Sequence, residues 1–168
     1  MSAAPPPTPR DPRLEVWRRF LHVHATIRRR LERELLDEQG IGLGEYEVLL
    51  ILAYADERRL RMSELADRLV LSRSGATRLV DRLQADGLVE RVICDTDRRG
   101  QWAQLTDAGY QRLRTASPTH LRGVGEHFLG RLAPAELRDL NATLERLTPS
   151  DRPVPSLRPP ARQPARAG

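Results

Sequence analysis

"MSELADRLVLSRSGATRLVDRLQADGLVER", residues 62–91, carries two helical periods separated by a break. In its first part Met62, Leu65, Ala66 and Leu69 fall at three- and four-residue steps, which line up side chains on one face of a short helix. The break comes at Val70-Leu71-Ser72. Ser72 stands where a helix takes its N-cap, because a serine oxygen there accepts a backbone N–H that the first turn leaves over. In the second part Ala76, Leu79, Val80 and Leu83 occupy i, i+3, i+4 and i+7, the spacing of a buried face. Gly87 follows at the position where a helix end favours a left-handed residue.

The period then shortens. "LVERVIC", residues 88–94, and "QWAQL", residues 101–105, read as extended segments on either side of a charged turn, "DTDRRG", residues 95–100: a β-hairpin. Helix, tight turn, helix and hairpin together make a winged helix-turn-helix. In such a unit the second helix enters the major groove of DNA, and its first turns meet the base edges. With its apolar stripe removed, that helix keeps Arg73, Ser74, Thr77, Arg78, Asp81 and Arg82 on its outer face. Arg73, Ser74, Thr77 and Arg78 are the candidates for major-groove contact, and Gly75 would let the backbone come close. A plain solvated face is the alternative reading of this stripe taken alone. The hairpin beside it moves the reading toward DNA.

On either side of this unit the chain is helical. Leu14, Trp17, Leu21, His24, Ile27, Leu31 and Leu35 recur along a long first helix that Gly40 and Gly42 end. "EYEVLLILAYA", residues 45–55, is apolar on nearly every face and is expected at the centre of the fold. After the hairpin Thr106 starts another helix, which Pro118 is expected to interrupt or kink. Pro134 opens the last one, and Leu137, Leu140, Leu144 and Leu147 stripe it. Arg61 stands where a capping Ser or Thr is expected for the helix at residue 62, leaving Ser63 or water to cap it. The Pro-rich arm (1–12) and the Pro/Arg-rich tail (148–168) are expected to be disordered.

Composition sets the class. The 168 residues are 39% hydrophobic and 30% charged, enough for one domain with a core. No apolar run approaches a membrane span, and the N-terminus has no signal-peptide core, so the cytoplasm is the expected compartment. The formal charge of +5 permits an anionic partner. All 28 basic residues are arginine, tails included, so a coding bias explains that choice and only arginine position carries meaning. No catalytic set or phosphate-cradling loop is present, and an enzyme is not expected. The histidines show no ligand spacing: His22 and His24, two apart on a helix, point to different faces. Neither metal nor cofactor is expected. Cys94 stands alone beside Asp95, which disfavours its thiolate, and it reads as structural or incidental.

The stretch at 62–91 followed by "DTDRRGQWAQLTDAG", residues 95–109, resembles the MarR family of bacterial transcriptional regulators. Asp97, Arg99, Leu105, Thr106 and Gly109 match the family's Asp-x-Arg and Leu-Thr-x-x-Gly pattern. The resemblance spans residues 13–147. It implies a fold that is mainly α with a small β-hairpin wing. The DNA-binding winged helix would cover about 43–106, with dimerisation helices at about 13–39 and 107–147. It further implies a homodimer that binds a pseudo-palindromic operator in double-stranded DNA, as a ligand-responsive repressor. Arg99 would enter the minor groove from the wing tip, Arg98 would serve as a second contact, and Asp97 would hold Arg99. A small aromatic or anionic effector would bind a crevice for which Trp17, His24, Arg30 and Tyr46 are candidates. The alternative function is a winged-helix module for protein contact without specific DNA binding.

Overall fold

A computed structural model of the chain describes residues 8–93 and 101–148. The start of the arm (1–7), the tail from 149 onward and the hairpin tip, with Cys94, Asp95, Asp97, Arg98 and Arg99, lie outside the described residues. Thr8 to Arg13 turn into helix α1 (Leu14–Gln39), with the Asp11 carboxylate accepting the Arg13 backbone N–H at 2.9 Å. Gly40, at φ +62°, ends α1 by the left-handed conformation that glycine adopts without cost.

Helix α2 (Leu43–Ala53) lies at the centre, with Val48, Leu49 and Leu52 fully buried. It begins two residues earlier than the sequence suggests and stops before Tyr54. Its start has no capping side chain. Instead, the Glu45 carboxylate accepts the Gly42 N–H (3.1 Å), and Glu32 of α1 accepts the Leu43 N–H (2.7 Å). A short strand, β1 (Arg59–Arg61), then precedes α3 (Met62–Arg68), and α4 (Arg73–Ala85) follows. The hairpin is β2 (Val89–Ile93) and β3 (Gln101–Leu105). The wing is therefore a three-stranded antiparallel sheet in the order β1-β3-β2, not a bare hairpin. Leu60 of β1 sits opposite Ala103 and shares its burial. Three residues are too few for a period-two signal, which is why β1 escapes a sequence reading.

Helix α5 (Asp107–His127) runs through Pro118 without interruption. Proline removes one helical hydrogen bond, and packing outweighs that loss: Leu113, Ala116, Thr119 and Gly123 of α5 are buried. The contact with α1 is also polar. Thr119 Oγ1 accepts from Gln39 Nε2 (3.0 Å) and donates to Glu38 Oε2 (3.1 Å), and Arg122 pairs with Glu38. Nearby, Tyr46 of α2 is buried against His120, ring centroids 4.5 Å apart. Burial pushes the Tyr46 phenol up from its ordinary pKa and the His120 imidazole down from its own.

The Leu-Thr-x-x-Gly segment has a clear physical basis. Thr106 Oγ1 accepts the Gly109 N–H (3.0 Å), capping α5, and donates to the Gly87 carbonyl (2.8 Å) at the end of α4. Gly109 lets α5 seat on that corner: a Cβ there would collide with the Leu88 carbonyl and crowd the Leu105 side chain. Helix α6 (Pro134–Leu147) buries none of its residues in this chain, and Leu144 and Leu147 are exposed. The first half of α1 is similarly bare, with Val16, Trp17, Phe20, Leu21 and Val23 all exposed. Among the described residues no helix is long and apolar enough to cross a membrane.

Gly109→Ala should lower stability by about 1–3 kcal/mol, overpacking against the Leu88 carbonyl outweighing the roughly 1 kcal/mol by which alanine favours helix; a lower denaturant midpoint is the expected result. For His120 the native protein resists a proton that the unfolded chain accepts. Its contribution is intact above the ordinary imidazole value of 6.5 and is lost as pH falls through it. The melting temperature should therefore fall less between pH 7.5 and about 5.5 in His120→Phe than in the wild type.

Candidate nucleic-acid interface

The interface is built around the α3–α4 turn. Helix α3 has no capping side chain at Arg61; the Glu64 carboxylate reaches back to the Arg61 N–H (3.1 Å), in place of the Ser63 or water that the sequence suggests. At its other end the Val70 N–H bonds the Asp67 carbonyl (3.2 Å) and the Leu71 N–H bonds the Ala66 carbonyl (3.0 Å), a Schellman closure. Val70 occupies the left-handed position at φ +55°, a strained place for a β-branched residue. The chain then enters α4 through Ser72, whose Oγ accepts the Gly75 N–H at 3.1 Å.

Ala76, Val80 and Leu83 of α4 are buried, and Leu79 packs over Gly44 of α2. This fixes the rotation of α4. Arg73, Ser74, Thr77 and Arg78 all emerge on the exposed side. Ser74 Oγ lies 3.1 Å from Ser72 Oγ. Among the described residues neither Arg73 nor Arg78 has an acidic partner. Gly75 is half-buried, and a Cβ there would press on Ser72 Oγ at 3.3 Å, so the N-cap itself favours a glycine.

Asp81 and Arg82 lie on the exposed side, as the sequence suggests, and each is tied to another element. Arg82 Nε donates to Glu45 Oε1 (2.7 Å), which ties α4 to the start of α2. Asp81 Oδ1 lies 2.6 Å from Arg91 Nη2 on β2, which ties α4 to the wing. Arg91 thus has an acidic partner within the reader itself. On the outer face of the wing the Arg59 and Arg61 guanidinium groups lie 5.2 and 5.4 Å from the Trp102 ring centre. The described strands end at the Ile93–Gln101 pair, and Arg98 and Arg99 fall in the sequence between them, outside the described residues.

A cavity of about 750 Å³ lies behind the turn, lined by His24, Arg28, Glu47, Leu50, Ile51, Arg68 and Leu69 to Leu71, with Leu79 of α4. Arg28 and Glu47 form a two-point ion pair on its wall, with N–O distances of 2.7 and 3.2 Å. Of the four residues that the sequence nominates for a crevice, only His24 lines it. Trp17 lies farther along α1, linked to His24 through a stack on Phe20. Arg30 faces a shallow depression with Arg33, Glu34 and Asp37, and Tyr46 is core. The sequence reading missed Arg28, Glu47 and Arg68. Helical spacing from His24 offered a signal only for Arg28. Among the described residues no group of three or more His, Cys, Asp or Glu side chains is placed to hold a metal.

Residues 39–100 match a family model described as MarR family. The transcriptional repressor MprA of Escherichia coli is 36% identical over 85 residues, which covers 51% of this chain and 48% of MprA. The chain thus matches about half the length of that curated relative. Solved structures match nearly end to end. Sco3205, a MarR family transcriptional regulator from Streptomyces coelicolor solved in complex with DNA, is 35% identical with a TM-score of 0.76, over 86% of this chain and 96% of that one. AbsC, a MarR family transcriptional regulator of the same organism, is 32% identical with a TM-score of 0.75, over 86% and 95%.

Ser72→Ala should cost about 1 kcal/mol of stability by removing the α4 cap, read in a denaturant melt. Ser72→Asp should retain most of it.

Proposed function

The chain belongs to the MarR family, and from that premise we propose that it is a sequence-specific double-stranded DNA-binding transcriptional regulator, acting as a repressor in the cytoplasm. The observation that carries this reading is the exposed α4 face. Arg73, Ser74, Thr77 and Arg78 project together from a helix whose rotation is fixed by its buried stripe. Small hydroxyls and arginines near a helix start suit base edges and phosphates. The wing supplies the second contact: Arg99 in the minor groove, held by Asp97, with Arg98 beside it.

The working unit is a homodimer. The bare apolar face of α1 and the leucines of α6 need a cover, and a second copy supplies it. Two readers on one dimer match a pseudo-palindrome with half-sites about 34 Å apart. The cavity is the effector site. Its apolar wall and its Arg28, Arg68 and His24 edge suit a small aromatic or anionic molecule, and occupancy there shifts the population toward a form that fits the operator less well.

Titration of binding to operator and random DNA against salt is the test. Affinity should fall steeply with salt while a sequence-specific excess persists. Arg99→Ala should weaken binding to most sequences and lower the salt slope by about one. Changes at Ser74 or Thr77 should alter which bases are preferred. Salt-independent or absent DNA binding would point instead to a protein-contact module.

A further inference from the structure

Arg91 stands in an unexpected place. On β2 the side chains of Val89, Arg91 and Ile93 share one face, and Val89 is buried in the core. Arg91 therefore points inward, opposite the fully buried Ala103, where an apolar residue would serve packing better. Its side chain is only 24% exposed, and its Nε is buried without a hydrogen-bond partner. Holding a guanidinium there carries a desolvation cost that an apolar side chain would avoid. What offsets that cost is the carboxylate of Asp81 on α4, at 2.6 Å.

Geometry gives that ion pair a use. Helix α4 and strand β2 are joined by the turn 86–88, with Gly87 at φ +70° and the Leu88 N–H bonded to the Leu83 carbonyl at 2.8 Å. The Thr106 hydroxyl, donating to the Gly87 carbonyl, holds this turn from behind. Asp81 lies about 6 Å back along the helix from Ala85, and Arg91 lies about 7 Å out along the strand from Val89. The ion pair closes a triangle with nearly equal arms across that turn, on its open side. On the other side Arg82, the next residue of α4, is bonded to Glu45, so the helix itself is anchored to the body.

We propose that Asp81 and Arg91 are positioning residues: their ion pair is a strut that sets the wing's angle to the recognition helix, so that one docking places both in their grooves. The proposal rests on the DNA-binding reading above. Neither residue needs to touch DNA. A wing already held at the docking angle leaves less to be ordered on binding, and such ordering costs affinity.

Asp81→Ala separates this role from plain electrostatics. Removing an acid near a polyanion should strengthen binding if charge alone matters; the strut predicts about tenfold weaker operator binding. In Asp81→Ala and in Arg91→Leu, hydroxyl-radical protection of the flanking minor groove should be lost. Guanine N7 protection from methylation in the major groove should persist. Exchanging the pair, Asp81→Arg with Arg91→Asp, should restore the minor-groove protection. Arg91→Leu keeps an apolar stem at 91, so its fold is secure even if Arg91→Ala melts early. Tighter binding by Asp81→Ala, loss of both protections in equal measure, or failure of the exchanged pair to recover the minor groove would each overturn the strut. Absence of any wild-type footprint would instead overturn the DNA-binding reading.

Discussion

The burial of one stripe of α4, Ala76, Val80 and Leu83, is the constraint from which the rest of the interface follows. A helix with one stripe held in the core has no freedom of rotation, so its opposite stripe must face outward. Arg73, Ser74, Thr77 and Arg78 are presented by what lies behind them. The Ser72 cap fixes where the helix begins, and ion pairs from Asp81 and Arg82 fix its far half to the wing and to α2. Gly109 completes the arrangement by letting α5 close on the corner where α4 meets β2.

Much of this was legible because it is local. The Ser72 and Thr106 caps, the left-handed Gly87 and the buried stripe of α4 each depend on residues within a turn or two of one another. What escaped depends on distant partners. Strand β1 exists only because β3 lies beside it. Pro118 reads as a breaker until the packing of Ala116, Thr119 and Gly123 is known. The cap of α3 is the local exception: Glu64 supplies it from three residues on, where a Ser or Thr is the usual signal. The cavity illustrates the same limit: His24 belongs to it, but Arg28, Glu47 and the turn at 68–71 join it only through tertiary approach. Asp81 and Arg82 share the polar face of α4 with Arg73, Ser74, Thr77 and Arg78, and spacing alone could not divide that face in two.

The stripe of α1 is a further case. From Leu14 to Leu35 it is one continuous pattern, yet Leu31 and Leu35 are buried within the chain while Trp17 and Leu21 stay exposed. Periodicity reports that a face is to be covered, not which molecule covers it. The bare first half of α1 and the unburied α6 leave the same demand at the two ends of the described chain. In the proposed homodimer a second copy would meet both, and it would also set the separation of the two readers on DNA.

That separation tests the account most directly. Operator affinity should be measured on DNA in which base pairs are inserted between the two half-sites. If a dimer presents two rigid winged helices, a five-base-pair insertion turns one half-site to the far side of the duplex, and affinity should collapse to the non-specific level. Affinity indifferent to spacing, or full affinity on a single half-site, would contradict it.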